Sequence, residues 1–311
     1  MLNFCAMGSI ESLKLDFNSQ ISDLKNICND RISKDCIFVG SGDSYVAGLM
    51  VEYVTDHKCQ CYSPSDLLKC RFSKDKVYCF ISVTGKTKTN VEVARFATLH
   101  GAKTVAVTLN RKSKLAQNCN EIVPLKIPAK SSLTAGFRTF VPSVVTCMQI
   151  AGIRIPSKFA TWQKKAIKMS LDLIDTLILP KETTYILGNK TLYAVASYAS
   201  LKMSEFFCAA SVPNKLEEFC HSPIFGIKQS DHIWVMGQKE EATSNRLRKL
   251  GVHLSYVELQ SQDVLTQLFV SIFFVQNLML LLAKKYGYNQ LQYPLRQEIL
   301  RASSDIIYSQ S

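Results

Sequence analysis

The segment Ser82-Val83-Thr84-Gly85-Lys86-Thr87 follows an apolar run and opens a helical pattern. Its three hydroxyls and its glycine stand where the first amides of a helix have no carbonyl partner. An anion placed there would accept backbone N–H and hydroxyl bonds, at the positive end of the helix dipole. A lone Ser or Thr at such a turn reads as a helix cap. Three in six residues point instead to phosphate binding. A second turn, Gly40-Ser41-Gly42-Asp43-Ser44, also joins a strand pattern to a helix pattern. In open α/β sheets, ligands sit at the carboxyl ends of strands, where such turns gather.

Two other phosphate chemistries fail on detail. A dinucleotide fingerprint needs a third glycine and an acidic residue after the second strand. Here Tyr45 follows Ser44, and Tyr62-Ser63-Pro64 stands where the acid belongs. Gly85-Lys86-Thr87 ends like a Walker loop, but Phe80 occupies the place of that loop's first glycine.

These turns need a framework of alternating strands and helices. Strand-length apolar runs lie at Cys36–Val39, Cys59–Tyr62, Val77–Ser82, Lys103–Leu109 and Glu121–Leu125, with helical patterns at Tyr45–Val54 and Val91–Leu99. The alternation predicts a parallel sheet covered on both faces. It restarts near Pro180, after a helix tail at Leu171–Leu179. Strands are expected at Thr184–Leu187, His232–Met236 and Val252–Leu259, and helices at Thr191–Phe207, Glu241–Leu250 and Gln262–Tyr286. Gly40 and Gly188 take matching strand-to-helix turns, 148 residues apart. The fold class expected is therefore α/β, two tandem doubly wound modules with parallel sheets, from an internal duplication; the alternative is one continuous sheet in which the echo is a coincidence. The expected division is a lead-in helix over 1–30, a first module over 31–155 with the phosphate loops, and a second over 156–311 with a helical tail. Ile299, Leu300, Ile306 and Ile307 in that tail predict that it packs.

The Ser-x-Thr-Gly-x-Thr and Gly-Ser-Gly-Asp-Ser turns resemble the phosphosugar-binding loops of the SIS (sugar isomerase) superfamily, whose modules are flavodoxin-like. The resemblance extends from about Cys36 to the C-terminus. It implies that Ser82, Thr84 and Thr87 hold a phosphate, that Ser41, Asp43 and Ser44 contact the sugar or phosphate, and that Thr134 lines the pocket from a third loop. It also implies an acid–base pair. Glu205, at the end of an apolar helix, and His221, in Glu217-Glu218-Phe219-Cys220-His221-Ser222-Pro223, are sixteen residues apart, the spacing of the catalytic pair in related isomerases. By similarity Glu205 shuttles a proton between C1 and C2 through an enediol, His221 assists ring opening, and Glu218 is an orienting or substrate-contacting neighbour. The histidine commonly comes from the partner subunit, so the resemblance implies a homodimer with a shared active site. It departs at the tail, where Arg301 stands at the position of an essential lysine. Guanidinium cannot form a Schiff base, so Arg301 is expected to touch phosphate or a sugar hydroxyl. No glutaminase segment precedes Cys36, which argues against glutamine-dependent transfer. Val83 replaces a glutamine common in that loop.

Composition bounds these readings. A net charge of +12 favours an anionic partner, but the Lys and Arg residues are dispersed and no aromatic-basic motif marks specific nucleic-acid binding. Eleven cysteines, in apolar surroundings without paired C-x-x-C blocks, indicate reduced, cytoplasmic usage and neither a disulfide framework nor a zinc site. The apolar run Leu268–Ala283 carries Ser271, Gln276 and Asn277 and reads as a buried helix, so no membrane association is expected. No cofactor or metal is expected. The remaining histidines, His57, His100, His232 and His253, read as surface or packing residues. The function expected is aldose–ketose isomerisation of a hexose 6-phosphate or deamination of glucosamine 6-phosphate. The alternative is a non-catalytic sugar-phosphate-binding regulator.

Overall fold

The computed structural model describes residues 8–24, 27, 35–127, 136–179, 182–259 and 261–308. The chain divides into two compact units. A five-stranded unit comprises Asn18–Ser157 and Arg296–Ser311, and a four-stranded unit comprises Met1–Phe17 and Lys158–Leu295.

Helix α1 (Ile10–Leu24) leads in. The five-stranded unit then runs β1 (Cys36–Val39), α2 (Asp43–Val54), β2 (Gln60–Tyr62), β3 (Val77–Ile81), α3 (Lys88–Leu99), β4 (Lys103–Thr108), α4 (Lys114–Gln117), β5 (Glu121–Pro124) and α5 (Phe137–Ile150). Its sheet has the order β2-β1-β3-β4-β5, with every pairing parallel. Strands β1, β3 and β4 are almost wholly buried, because helices cover both faces and alternation has no purpose there.

The four-stranded unit runs α6 (Phe159–Leu173), β6 (Thr183–Leu187), α7 (Thr191–Phe207), β7 (Ala210–Asn214), α8 (Leu216–His221), β8 (His232–Met236), α9 (Glu241–Arg248), β9 (His253–Val257) and α10 (Val264–Lys285). Its order, β7-β6-β8-β9, is again parallel throughout. The long apolar helix α10 is capped by Asp263, whose carboxylate accepts from the amides of Leu265 (3.4 Å) and Thr266 (3.0 Å). By length and composition α10 could cross a membrane, but most of it is buried. It packs on α6 and α7, with Phe269 stacked on Trp162 at 5.0 Å. The buried-helix reading of Leu268–Ala283 holds.

The two units share a turn. The backbone of Gly42 has φ 56°, ψ −130°, and that of Lys190 has φ 53°, ψ −128°. Each is closed by an amide two residues on: Ser44 N to Ser41 O at 3.2 Å, and Leu192 N to Asn189 O at 3.0 Å. Both follow a glycine pressed against the next helix, so that a Cβ at Gly40 would meet Ser44 at 2.8 Å and one at Gly188 would meet the Leu192 carbonyl at 2.5 Å. The glycine correspondence read from sequence is thus a correspondence of backbone.

Three expectations need revision. Strand β7, Ala-Ser-Val-Pro-Asn, escapes the apolar-run criterion; its Pro213 is tolerated because β7 is an edge strand. Helices α5 and α6 fill 137–173, where the sequence pattern gave only the helix tail at Leu171–Leu179; α6 itself ends at Leu173. Helix α11 (Gln297–Ile307) belongs to the five-stranded unit, but its isoleucines do not pack: Ile299 is 60% and Ile306 75% exposed.

Candidate functional site

The Ser82–Thr87 loop lies between the buried end of β3 and the start of α3. Ser82 is buried, and its Oγ lies 3.3 Å from Thr87 Oγ1 and accepts from the Gly85 amide at 3.1 Å. The loop is fastened to the neighbouring strand: the Thr108 hydroxyl and the Leu109 amide both donate to the Val83 carbonyl, at 3.1 and 3.0 Å. Gly85 has φ +65°, and a Cβ there would collide with Ser113 Oγ. Only glycine suits a position both left-handed and crowded. Thr87 takes the N-cap position of α3 with no side-chain capping bond, so its hydroxyl stays beside the first turn without being spent on it. Ser82 and Thr87 are therefore brought together at a helix N-terminus, with Thr84 half-buried between them.

The second turn places Ser41, Asp43 and Ser44 at the carboxyl end of β1. The Asp43 carboxylate lies against Gly136, where a Cβ would collide with Asp43 Oδ2. Gly136, at φ +64°, ends the third loop and starts α5. Thr134 lies outside the described residues.

A partner of the loop that the sequence did not show is the chain's own tail. Thr87 and Tyr308 form an antiparallel backbone bridge, and Lys88 Nζ donates to the Asp305 carbonyl at 2.6 Å. Arg301 is exposed on α11.

In the four-stranded unit, Glu205 sits in the last turn of α7 with a partly exposed side chain. Its Oε2 is 2.6 Å from Nζ of Lys202, which is fully buried and lies 5.2 Å from the centroid of the Tyr198 ring. Sequence reading missed Lys202. A buried ammonium fixes the position of the carboxylate. His221 ends α8 and is exposed, its Nε2 4.0 Å from Glu217 Oε1; Glu218 is exposed too.

Burial pushes up the thiols of Cys61, Cys119 and Cys147, and a hydrogen bond with Cys36 together with burial pushes up that of Cys79, which makes them packing groups rather than nucleophiles.

Residues 32–152 match the family model of the SIS domain. No curated protein matches the sequence. Among solved structures, the chain is similar to glucosamine-6-phosphate deaminase from Thermotoga maritima, at 16% identity and a TM-score of 0.70 over 90% of this chain and 95% of that one. It is also similar to the C-terminal domain of glucosamine-fructose-6-phosphate aminotransferase from Francisella tularensis, at 14% and 0.64 over 90% and 98%. Tagatose-6-phosphate ketose/aldose isomerase from Escherichia coli gives 16% and 0.63 over 90% and 89%. At these identities the likeness is one of fold.

Proposed function

We propose, from the premise that residues 32–152 carry an SIS domain, that this protein is a cytoplasmic enzyme acting on a hexose or amino-hexose 6-phosphate. The two sheets are read as tandem modules, and the working form as a homodimer. The observation that carries the reading is the Ser82–Thr87 loop: two hydroxyls 3.3 Å apart at a helix N-terminus, on a backbone whose glycine admits no side chain. Ser82, Thr84 and Thr87 bind the phosphate, with Ser41, Asp43 and Ser44 on the sugar.

The chemistry falls to α7 and α8. His221 assists ring opening. Glu205 removes the proton from C2 of the open-chain aldose, and the electron pair moves to the carbonyl as the enediol forms. The same carboxylate returns the proton to C1, giving the ketose. Lys202 holds the carboxylate in place throughout. From an amino sugar the same proton transfers leave an imine at C2, and water then adds to C2 and displaces ammonia, giving the ketose. The relatives in fold named above support both variants, since their own names include a deaminase and a ketose/aldose isomerase. The buried thiols support a reducing compartment.

The test is a pair of variants assayed with fructose 6-phosphate and glucosamine 6-phosphate. Glu205→Gln keeps an acceptor oxygen for Lys202 and is expected to lower kcat at least about 100-fold with little change in substrate binding. Thr87→Val is expected to weaken binding about 10-fold or more while kcat changes less. Full turnover in Glu205→Gln would refute the assignment. Tight binding without turnover of either substrate by the wild-type protein would favour the regulator.

A further inference from the structure

The four-stranded unit has a cleft of its own, about 240 Å³ in volume. It opens at the carboxyl ends of β6 and β8, the two strands at which the sheet order β7-β6-β8-β9 reverses direction. That crevice is where an open parallel sheet exposes strand ends and helix starts together. Leu187, Leu192, Val235 and Met236 give it an apolar wall, and Asn189, Gln238, Glu240, Thr243 and Tyr256 supply the polar groups.

Three features mark it as more than a gap in packing. First, the Tyr256 hydroxyl is buried and has no hydrogen-bond partner among the described residues. A buried hydroxyl left unmatched is costly, and a small turn of the ring toward the cleft would bring it to a partner there. Second, Lys190, in the turn adjoining the cleft, holds the backbone geometry that Gly42 holds in the other unit. A lysine at positive φ is strained, and strain of this kind collects at ligand-binding turns. Third, the lining has a definite charge. It includes the Glu240 carboxylate and no Lys, Arg or His. The loop after β8 reads Gly237-Gln238-Lys239-Glu240-Glu241, where the loop after β3 reads Ser82-Val83-Thr84-Gly85-Lys86-Thr87. Gln238 and Glu240 line the cleft there beside the Thr243 hydroxyl, which donates to Glu240 Oε2 at 3.1 Å.

We infer that this cleft is a second ligand site, for a small hydroxylated ring without negative charge, of monosaccharide size. The apolar wall takes the ring face. Glu240, Asn189 and Gln238 take hydroxyl or amine donors, and the Tyr256 hydroxyl gains its partner from the ligand. The site excludes the phosphate that the Ser82–Thr87 loop is built to attract. It does not rest on the phosphosugar reading.

The experiment uses three rings of equal size and different charge, D-glucose, D-glucosamine and D-glucuronate, titrated by calorimetry or ligand-observed NMR. Wild-type protein is expected to bind the first two and to bind glucuronate about 10-fold more weakly or worse. Glu240→Gln removes the repulsion, so the gap should shrink to about threefold or less. Tyr256→Phe should raise the melting temperature of the unliganded protein while weakening glucose binding. A merely structural tyrosine would not move the two readouts in opposite directions. Thr87→Val should leave all three affinities unchanged, which separates this site from the phosphate loop. No binding of glucose or glucosamine at about 20 mM would overturn the inference. So would binding lost in Thr87→Val and insensitive to Glu240→Gln.

Discussion

Lys190 shows how much one residue can reveal when its backbone is compared with its counterpart. Glycine pays no Cβ penalty at φ 56°, ψ −130°, the conformation of the first central residue in a type II′ turn, whereas lysine does. Lys190→Gly is therefore expected to stabilise the protein by about 1 kcal/mol, the lower end of the cost of such a strained residue, less the entropy glycine adds to the unfolded chain. Urea denaturation would show it as a higher midpoint at unchanged slope. A lower midpoint would mean that the lysine side chain contributes more than its backbone costs. At the same scale the sequence was legible where chemistry is local. Three hydroxyls after an apolar strand read as an anion loop, and the structure brings two of them, Ser82 and Thr87, together at the start of α3. Lys202 was not legible, because a single lysine in Leu201-Lys202-Met203-Ser204-Glu205 looks like an ordinary solvated residue. Only the packing of α7 shows that it is the residue wholly buried beside Glu205.

Among the elements, β8 carries a polar group into the sheet. His232 is fully buried, and its Nδ1 faces both the Trp234 indole N–H and, at 3.3 Å, the Ile178 carbonyl. Nδ1 accepts from the Trp234 indole N–H at 3.1 Å, since that group can only donate. Nε2 therefore bears the proton and donates to Ser255 Oγ at 2.9 Å, and the serine passes its own proton to the Thr176 carbonyl at 2.7 Å. Burial, reinforced by His253 at 4.9 Å, pushes the His232 pKa down from 6.5 to about 4. A depressed histidine pKa means that the unfolded chain binds more protons. Stability is then full above pH 6.5, falls as the pH drops towards 4, and loses nothing further from this group below that. The expected loss between pH 7 and pH 5 is about 2 kcal/mol, read from denaturant midpoints at the two pH values. His232→Gln should be less stable at pH 7 but should flatten the dependence; an equally steep slope would place its origin elsewhere. Strands such as Cys36–Val39 and His232–Met236 were readable because burial on both faces makes them continuous apolar runs. Strand β7 was not, because an edge position relaxes the demand for apolar side chains and admits Pro213. Pro142 similarly hides α5, a helix whose buried surroundings outweigh the missing amide.

On the scale of the whole chain, sequence distance conceals the most consequential contact. Tyr308 lies more than two hundred residues from Thr87, yet the two backbones pair at the end of the Ser82–Thr87 loop. Helix α11 gains little from its own apolar residues, since Ile299 and Ile306 are exposed. The tail's attachment is thus mainly polar, through the bridge and through Lys88 to the Asp305 carbonyl. A ligand that approaches the Thr87 backbone meets Tyr308 there, and displaces it or shares the loop with it. The net hydrogen bonding given up is worth about 1 kcal/mol, or about fivefold in affinity. A chain ending at Asp305 removes Tyr308, keeps Arg301, and leaves the oxygen that Lys88 reaches as part of a terminal carboxylate. It should bind glucosamine 6-phosphate about fivefold more tightly than the full chain, with a melting temperature lowered only slightly. Arg301→Ala in the full chain is the companion measurement, because a guanidinium that touches the phosphate would lower affinity and weaken its dependence on salt. If ending the chain at Asp305 lowers affinity while Arg301→Ala does nothing, Tyr308 is part of the binding surface and not a competitor for it.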